Sequence, residues 1–222
     1  MKATDRFYEA VKMIWEQYYN HPFIKGMGDG SLDISKFRYF MLQDYLYLFE
    51  YARVFAFGVT KADDPEIMRV FSKSIDAILN NEMSIHKAYM ARIGIKESDV
   101  LNVKPALNNT SYTSYMLAVS ERGNVEAITA AILACSWSYA EIGRRLAEDK
   151  KAAEHKFFGE WIKGYAGEAF QSSNSMLKEL MDRLTQNSSE EEYKKLETIF
   201  VNCSKYELEF WNMAWAGEPE NA

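Results

Sequence analysis

The feature that most constrains this chain is a helical repeat of apolar residues, which runs through nearly all of its 222 residues. In residues 4–19 the apolar and aromatic side chains fall on one helical face, and the same period returns in every long segment. No segment alternates apolar and polar residues between turn residues, as a strand would. The sequence therefore predicts an all-α fold, a bundle of long helices with several shorter ones.

Turn and capping residues set the expected helix boundaries. The stretch "HPFIKGMGDGSL" at 21–32 is expected to interrupt the helices, and residues 94–110 form the longest predicted irregular connection. With 48% hydrophobic residues and 4 Pro, one sizeable core is expected, so residues 1–222 are predicted to be a single domain. The predicted helices cover 4–19, from Asp33 or Ser35 to about Lys61, Pro65 to Arg92, 111–121, Asn124 to about Glu148, 152–163, 167–186 and Glu190 to about Ala216.

Charge and composition disfavour several classes of function. The net charge of −6 is spread along the helices with no basic stripe, which disfavours nucleic-acid binding. No apolar run approaches the length of a membrane span, and no apolar signal segment is present, so no membrane partner is expected. The two cysteines, Cys135 and Cys203, fit a reduced, cytoplasmic protein. The 14% aromatic content suggests a polar-lined pocket or an aromatic oligomer interface.

Three side chains on apolar helical faces are candidates for chemistry. Asp44 shares a face with Tyr47 and Tyr51. A buried acid there either accepts from tyrosine hydroxyls and fixes helix packing, or binds an N–H-rich ring between aromatic faces. Cys135 lies in "AAILACSWSYAEIG" and is either a small packing residue or a nucleophile. Glu207, in "SKYELEFWNMAW", is a second acid on an apolar stripe. Two inward acids and a thiol on three helices indicate a site.

The three histidines do not form a recognisable metal site. A carboxylate-bridged di-iron bundle needs repeated Glu-x-x-His pairs on facing helices, which this chain lacks. His21, before Pro22, is either a haem ligand or, with more weight, a capping or turn residue. Neither a Gly-rich phosphate loop nor a Cys-x-x-Cys motif occurs. We expect thiol and carboxylate chemistry without a metal or cofactor.

These residues and motifs resemble the TenA family, the thiaminase II or aminopyrimidine aminohydrolase enzymes of thiamin salvage. The resemblance covers essentially the full length, and the cysteine at position 135 places the chain in the cysteine-containing branch. It implies a haem-oxygenase-like helical bundle that binds no haem and assembles as a homotetramer. The motifs that carry it are "HPFIKGMGDGSL", "QDYLYLFEYARVFA", "SYTSYM", "CSWSYAEIG", "WIKGYAGEAF" and "YELEFWNMAW".

The resemblance also implies roles for individual residues. Asp44 matches the acid that pairs with the aminopyrimidine ring, Cys135 the nucleophile, and Glu207 the acid near the reacting centre. What lowers the pKa of Cys135 stays open, with Tyr165 as a candidate. The expected substrate-binding aromatic residues are Tyr47, Tyr51, Tyr112, Tyr139 and Tyr165.

The expected reaction is hydrolysis of 4-amino-5-aminomethyl-2-methylpyrimidine to its hydroxymethyl analogue and ammonia, with thiamin as a second substrate that would release the thiazole. Two alternatives stay open. One is an oxidase on the same fold, which the lack of histidine ligands weakens. The other is an interaction protein with an indirect regulatory effect, since the chain has no DNA-reading element. The preferred leaving group does not follow from the sequence.

Overall fold

The structure is a computed structural model that describes residues 2–96, 100 and 102–217. Within these residues the regular elements are helices and no strand occurs, so the all-α prediction is confirmed. The elements are α1 (Ala3–Asn20), α2 (Pro22–Asp29), α3 (Ile34–Lys61), α4 (Pro65–Asp76), a π-helix (Ala77–Glu82), α5 (Met83–Arg92), α6 (Leu107–Arg122), α7 (Val125–Ala147), α8 (Lys150–Ala153), α9 (Gly159–Ala166), α10 (Glu168–Leu184) and α11 (Glu190–Ala216).

Side-chain caps explain why the longest helices begin where the sequence predicts. The Asp33 carboxylate accepts a hydrogen bond from the Ser35 amide at 2.8 Å, at the start of α3. Before α11, the Ser189 hydroxyl accepts from the Glu192 amide at 3.3 Å, while the Glu192 carboxylate accepts from the Ser189 amide at 2.7 Å. This reciprocal pair is a capping box, which satisfies two amides that a helix start leaves open.

The predicted interruption at 21–32 is wrong for most of its length, because residues 22–29 form α2. Pro22 occupies the first turn, where its missing N–H costs nothing. The His21 Nδ1 accepts a hydrogen bond from the Phe23 amide at 3.2 Å, so His21 caps a helix, as expected of a turn residue. Gly30 ends the helix with φ of 80°, a left-handed conformation that favours glycine.

The single helix predicted at 152–163 is also wrong, since α8 ends at Ala153 and α9 begins at Gly159. The His155 Nδ1 accepts from the amides of Phe157 and Phe158 at 3.2 and 3.1 Å, and this local pairing replaces helical hydrogen bonds. The helix predicted at 111–121 begins earlier, at Leu107. Part of the predicted connection 94–110, namely 97–99 and 101, lies outside the described residues.

The helical run predicted from Pro65 to Arg92 is present but not uniform, because Ala77–Glu82 form a π-helix. A π-helix bonds each amide to the carbonyl five residues earlier, so it holds one more residue than an α-helical turn. Here the Met83 amide donates to the carbonyl of Ile78. The extra residue sets the direction in which the side chains of α5 point.

The chain divides into two compact units, of which the first comprises Met1–Leu32 and Thr129–Trp211 and the second Asp33–Ile128 and Asn212–Ala222. The prediction of a single domain stays a prediction. In the first unit, Trp15 of α1 meets Trp137 of α7 edge-on at 5.2 Å between ring centroids. Phe7 of α1 stacks on Phe200 of α11 at 4.9 Å. These fully or nearly fully buried rings form the centre of its core.

In the second unit, α3 carries the core and contacts both α4 and α5. Phe55 meets Phe71 of α4 at 6.1 Å, and Phe37 meets Tyr89 of α5 at 5.7 Å. All four side chains are buried. Among the described residues, no helix has both the length and the apolar character that crossing a membrane requires.

Candidate active site

The Asp44 carboxylate lies in the second unit and is paired with a buried histidine. Asp44 Oδ2 is 2.6 Å from Nε2 of His86, and the two residues are only 3% and 2% exposed. One of the two interpretations of Asp44 from the sequence expected tyrosine hydroxyls as its donors; the observed partner is a histidine instead. A buried carboxylate is costly unless a donor or a cation compensates it, and the imidazole supplies both.

The second nitrogen of His86 is also engaged, which fixes the ring. Nδ1 lies 3.0 Å from the carbonyl oxygen of Glu82 at the end of the π-helix, and since a carbonyl only accepts, Nδ1 donates. Burial lowers the pKa of His86, but the hydrogen bond and charge of Asp44 outweigh it and the pKa is raised overall. The raised pKa favours an imidazolium beside the Asp44 carboxylate.

A set of aromatic rings follows Asp44 along the same face of α3. Tyr47 stacks on Tyr51 at 5.3 Å between centroids and contacts Tyr112 of α6 at the same distance. The Tyr47 hydroxyl lies 3.8 Å from the sulfur of Met116. All three tyrosines are buried, so this part of the unit combines flat aromatic surfaces with one acid.

Gln43 holds the helix that carries Tyr112. Its side-chain oxygen accepts from the Ala106 amide at 2.8 Å, and its side-chain nitrogen donates to the Lys104 carbonyl at 3.1 Å. The side-chain nitrogen of Asn109 donates to the backbone carbonyl of Gln43 at 2.7 Å. Because Asn109 and Tyr112 are one turn apart on α6, these bonds set the position of the Tyr112 ring against α3.

In the first unit, Cys135 of α7 and Glu207 of α11 both act electrostatically on the hydroxyl of Tyr18 in α1. Cys135 has intermediate exposure, whereas Glu207 is only 2% exposed. The Tyr18 hydroxyl donates to the backbone carbonyl of Ser204, one turn before Glu207. The predicted nucleophile and the predicted acid therefore lie near the same buried tyrosine.

Two groups near Glu207, the Tyr18 hydroxyl and the Cys203 thiol, are held in their neutral forms. Burial and then the charge of Glu207 raise the pKa of Tyr18 well above its ordinary value. The same two causes, in the same order, raise the pKa of the Cys203 thiol. Cys203 is thus a buried thiol with low reactivity, consistent with the sequence analysis, which gave it no role.

Tyr139 and Tyr165 lie together in the same unit. Their ring centroids are 5.0 Å apart, and Tyr139 also contacts Trp211 at 5.3 Å. Gly143 makes this packing possible, since a Cβ added there would lie 2.6 Å from Cβ of Tyr165. Gln171 closes the arrangement by donating to the carbonyls of Ala140 and Tyr165 at 2.9 and 2.8 Å.

The predicted site residues thus form two groups, each within its own unit. Three further contributors, His86, Gln43 and Tyr18, were missed by the sequence analysis. His86 is 42 residues from its partner, so no local spacing indicates the pair. Gln43 and Tyr18 sit on apolar faces, which signals burial but not a partner. Within the described ranges, no cluster of three or more His, Cys, Asp or Glu residues could hold a metal ion.

Comparison with known proteins gives the family. The TENA/THI-4/PQQC family profile matches residues 8–217. This chain belongs to that family. The predicted resemblance to TenA proteins is therefore confirmed. A curated family relative from Halalkalibacterium halodurans, named aminopyrimidine aminohydrolase, is 48% identical over 215 residues, which cover 97% of this chain and 96% of the relative.

Solved structures agree with the fold. A TenA homologue from P. horikoshii OT3 superposes with a TM-score of 0.90 at 30% identity, covering 98% of this chain and all of the other. A domain from Shewanella denitrificans, described as having a haem-oxygenase-like fold, superposes with a TM-score of 0.75 at 15% identity, covering 97% and 93% of the two chains. The predicted haem-oxygenase-like fold is confirmed.

Proposed function

We propose that this protein is an aminopyrimidine aminohydrolase of thiamin salvage, which converts 4-amino-5-aminomethyl-2-methylpyrimidine and water to the hydroxymethyl compound and ammonia. The observation that carries the proposal is the buried Asp44 carboxylate, paired with His86 and followed by stacked tyrosines. The name of the Halalkalibacterium relative supports the same reaction class.

Asp44 supplies the recognition of the ring. An aminopyrimidine presents an amino group next to a ring nitrogen, and when that nitrogen is protonated both are donors. A carboxylate accepts from the two in a charge-assisted pair, which is stronger than a pair of neutral hydrogen bonds. Tyr47, Tyr51 and Tyr112 provide flat faces for the ring, and Tyr139 and Tyr165 provide further aromatic surface.

Cys135 supplies the nucleophile. Its thiolate forms a bond to a ring carbon, and the displaced electron pair moves through the ring to expel the amine from the exocyclic methylene. Water then adds to that methylene, and the sulfur–carbon bond breaks as the ring regains aromaticity. Covalent catalysis of this kind divides one difficult displacement into easier steps. Glu207 gives a proton to the departing amine and takes one from the attacking water.

The test is steady-state turnover of the aminomethylpyrimidine by the wild type and two variants. Cys135→Ser should lower kcat by at least about 1000-fold and leave the Kd of the hydroxymethyl product within about threefold, since the thiol acts only in the reaction. Asp44→Asn should weaken product binding as well. Cys203→Ser is the matched control and should keep wild-type turnover. Absence of turnover in the folded wild type would overturn the proposal.

Three finer points belong to the same proposal. Thiamin is a second substrate, because a thiazolium leaves from the same activated ring; its kcat/KM measured beside that of the amine shows which leaving group is preferred. The protein is a homotetramer, for which light scattering should give about four times the 25.7 kDa chain mass. The cytoplasm is its compartment, because a chain of 222 residues with two cysteines fits a reducing environment.

A further inference from the structure

We propose that His86 is a positioning residue that makes Asp44 an acceptor-only group, so that the site binds the aminopyrimidine ring in its nitrogen-protonated form. The inference rests on the proposed function, since it assigns the protonation state of that substrate. The geometry that carries it is the chain of contacts from the Glu82 carbonyl through both nitrogens of His86 to Asp44 Oδ2.

The proton positions follow from the partners. Nδ1 of His86 must carry a proton, because the carbonyl oxygen of Glu82 can only accept. Nε2 is 2.6 Å from Asp44 Oδ2, so a second proton lies between them in a hydrogen bond. That proton resides on the imidazole or on the carboxyl group. In either case this proton forms the hydrogen bond between Nε2 and Oδ2, so Asp44 Oδ1 carries no proton.

The consequence concerns the ligand. With only lone pairs available on Oδ1, Asp44 cannot donate to an unprotonated ring nitrogen. It can accept from a protonated ring nitrogen and from the amino group beside it. The protonated ring is also the form that a thiolate attacks most readily, because it accepts electrons better. His86 therefore couples binding to activation without touching the substrate.

Removing the imidazole should reverse this preference. In His86→Leu, Asp44 would remain buried without a cation, and burial of a lone carboxylate favours its protonated form. Asp44 would then donate to an unprotonated ring nitrogen, and the ligand would bind in the neutral, less reactive form. In His86→Gln the side-chain amide can still donate to Oδ2, so Asp44 should stay ionised. Two charged groups act on the ring of His86, namely Asp44 from α3 and Glu82 from the π-helix.

The experiment measures proton uptake and kinetics. Binding of 4-amino-5-hydroxymethyl-2-methylpyrimidine is followed by calorimetry at pH 7.5 in buffers of different ionisation enthalpy, which gives the number of protons taken up. The wild type and His86→Gln should take up close to one proton, and His86→Leu close to none. The kcat of His86→Leu for the aminomethyl compound should fall at least about 30-fold, with KM changed by less than about threefold.

The control is His21→Ala, which removes a buried histidine that caps α2 and leaves Asp44 untouched. It should be less stable than the wild type, with unchanged proton uptake and an unchanged ratio of kcat to KM. A similar pattern in His86→Leu, with lower stability but wild-type uptake, would overturn the inference. If His86→Leu does not fold, the wild-type measurement is the test. Binding of the pyrimidine to the wild type without proton uptake would overturn the inference. If the folded wild type neither binds nor turns over the pyrimidines, the proposed function itself is wrong.

Discussion

Substitution of Gly143 by alanine tests whether the close packing of α7 on α9 holds Tyr165 in place. The added Cβ would lie 2.6 Å from Cβ of Tyr165, 2.8 Å from its carbonyl carbon and 2.9 Å from the amide nitrogen of Ala166. Ordinary contact between carbon atoms is about 3.5–4.0 Å, so the two helices must separate by about 1 Å. Overpacking of this kind costs about 1–3 kcal/mol, against about 0.5–1 kcal/mol that alanine gains over glycine inside a helix.

The net expectation for Gly143→Ala is a loss of stability of up to about 2.5 kcal/mol, whereas Gly164→Ala keeps the gain. For a chain of this length, the largest loss would lower the thermal midpoint of Gly143→Ala by about 10 °C. Since the backbone of Tyr165 must move, kcat/KM should fall about 10- to 100-fold. The matched control is Gly164→Ala, because a Cβ on this helical glycine meets nothing within 4 Å. Differential scanning calorimetry should show the control at or above the wild-type midpoint. A Gly143→Ala protein as stable and active as Gly164→Ala would refute the reasoning.

Three further expectations concern caps, anchors and pH. Ser189→Ala breaks the capping box of α11 and should cost about 1 kcal/mol with unchanged kcat/KM; a loss of activity would contradict this. Gln43→Leu leaves the partly buried amide of Ala106 and the carbonyl of Lys104 without their side-chain partner, so KM should rise and stability should fall by about 1 kcal/mol; wild-type kinetics would rule out its role in placing Tyr112. The raised pKa of His86 contributes stability that is complete below about pH 6.5 and is lost as pH rises through the folded-state value. Denaturant titrations of wild type and His86→Gln should therefore converge from pH 6 to 9, and divergence with rising pH would contradict the assigned charge pair.

The long helices could be predicted because their signals are local. The segment that begins at Glu190 has a serine cap, acidic residues in its first turn and an apolar stripe, and α11 spans the predicted residues 190–216. The short helix α2 had local signals too, namely a proline in the first turn and a glycine after the last. The glycines within 21–32 outweighed them in the prediction, although only Gly30 adopts a positive φ there.

The candidate site was predictable only in part. An acid or a thiol on an apolar stripe indicates an inward direction, and Asp44 and Glu207 are indeed buried. Which groups meet them depends on distant segments, so the partnership of Asp44 with His86 had no counterpart in the residue spacing. The electrostatic influence of Glu207 on Tyr18 likewise joins helices from opposite ends of the chain. A periodic pattern indicates which face of a helix is buried, but it does not indicate which other helix packs against that face.

The π-helix at Ala77–Glu82 makes the Asp44–His86 contact depend on backbone hydrogen bonding as well as on side chains. A π-helical turn holds one residue more than an α-helical turn, so α5 keeps the rotational setting that an α-helix one residue shorter would give it. If the same six residues were α-helical instead, everything beyond them would turn by about 100°, the rotation of one residue, and His86 would face away from α3. The hydrogen-bond pattern of these six residues therefore decides which side chain of α5 meets Asp44.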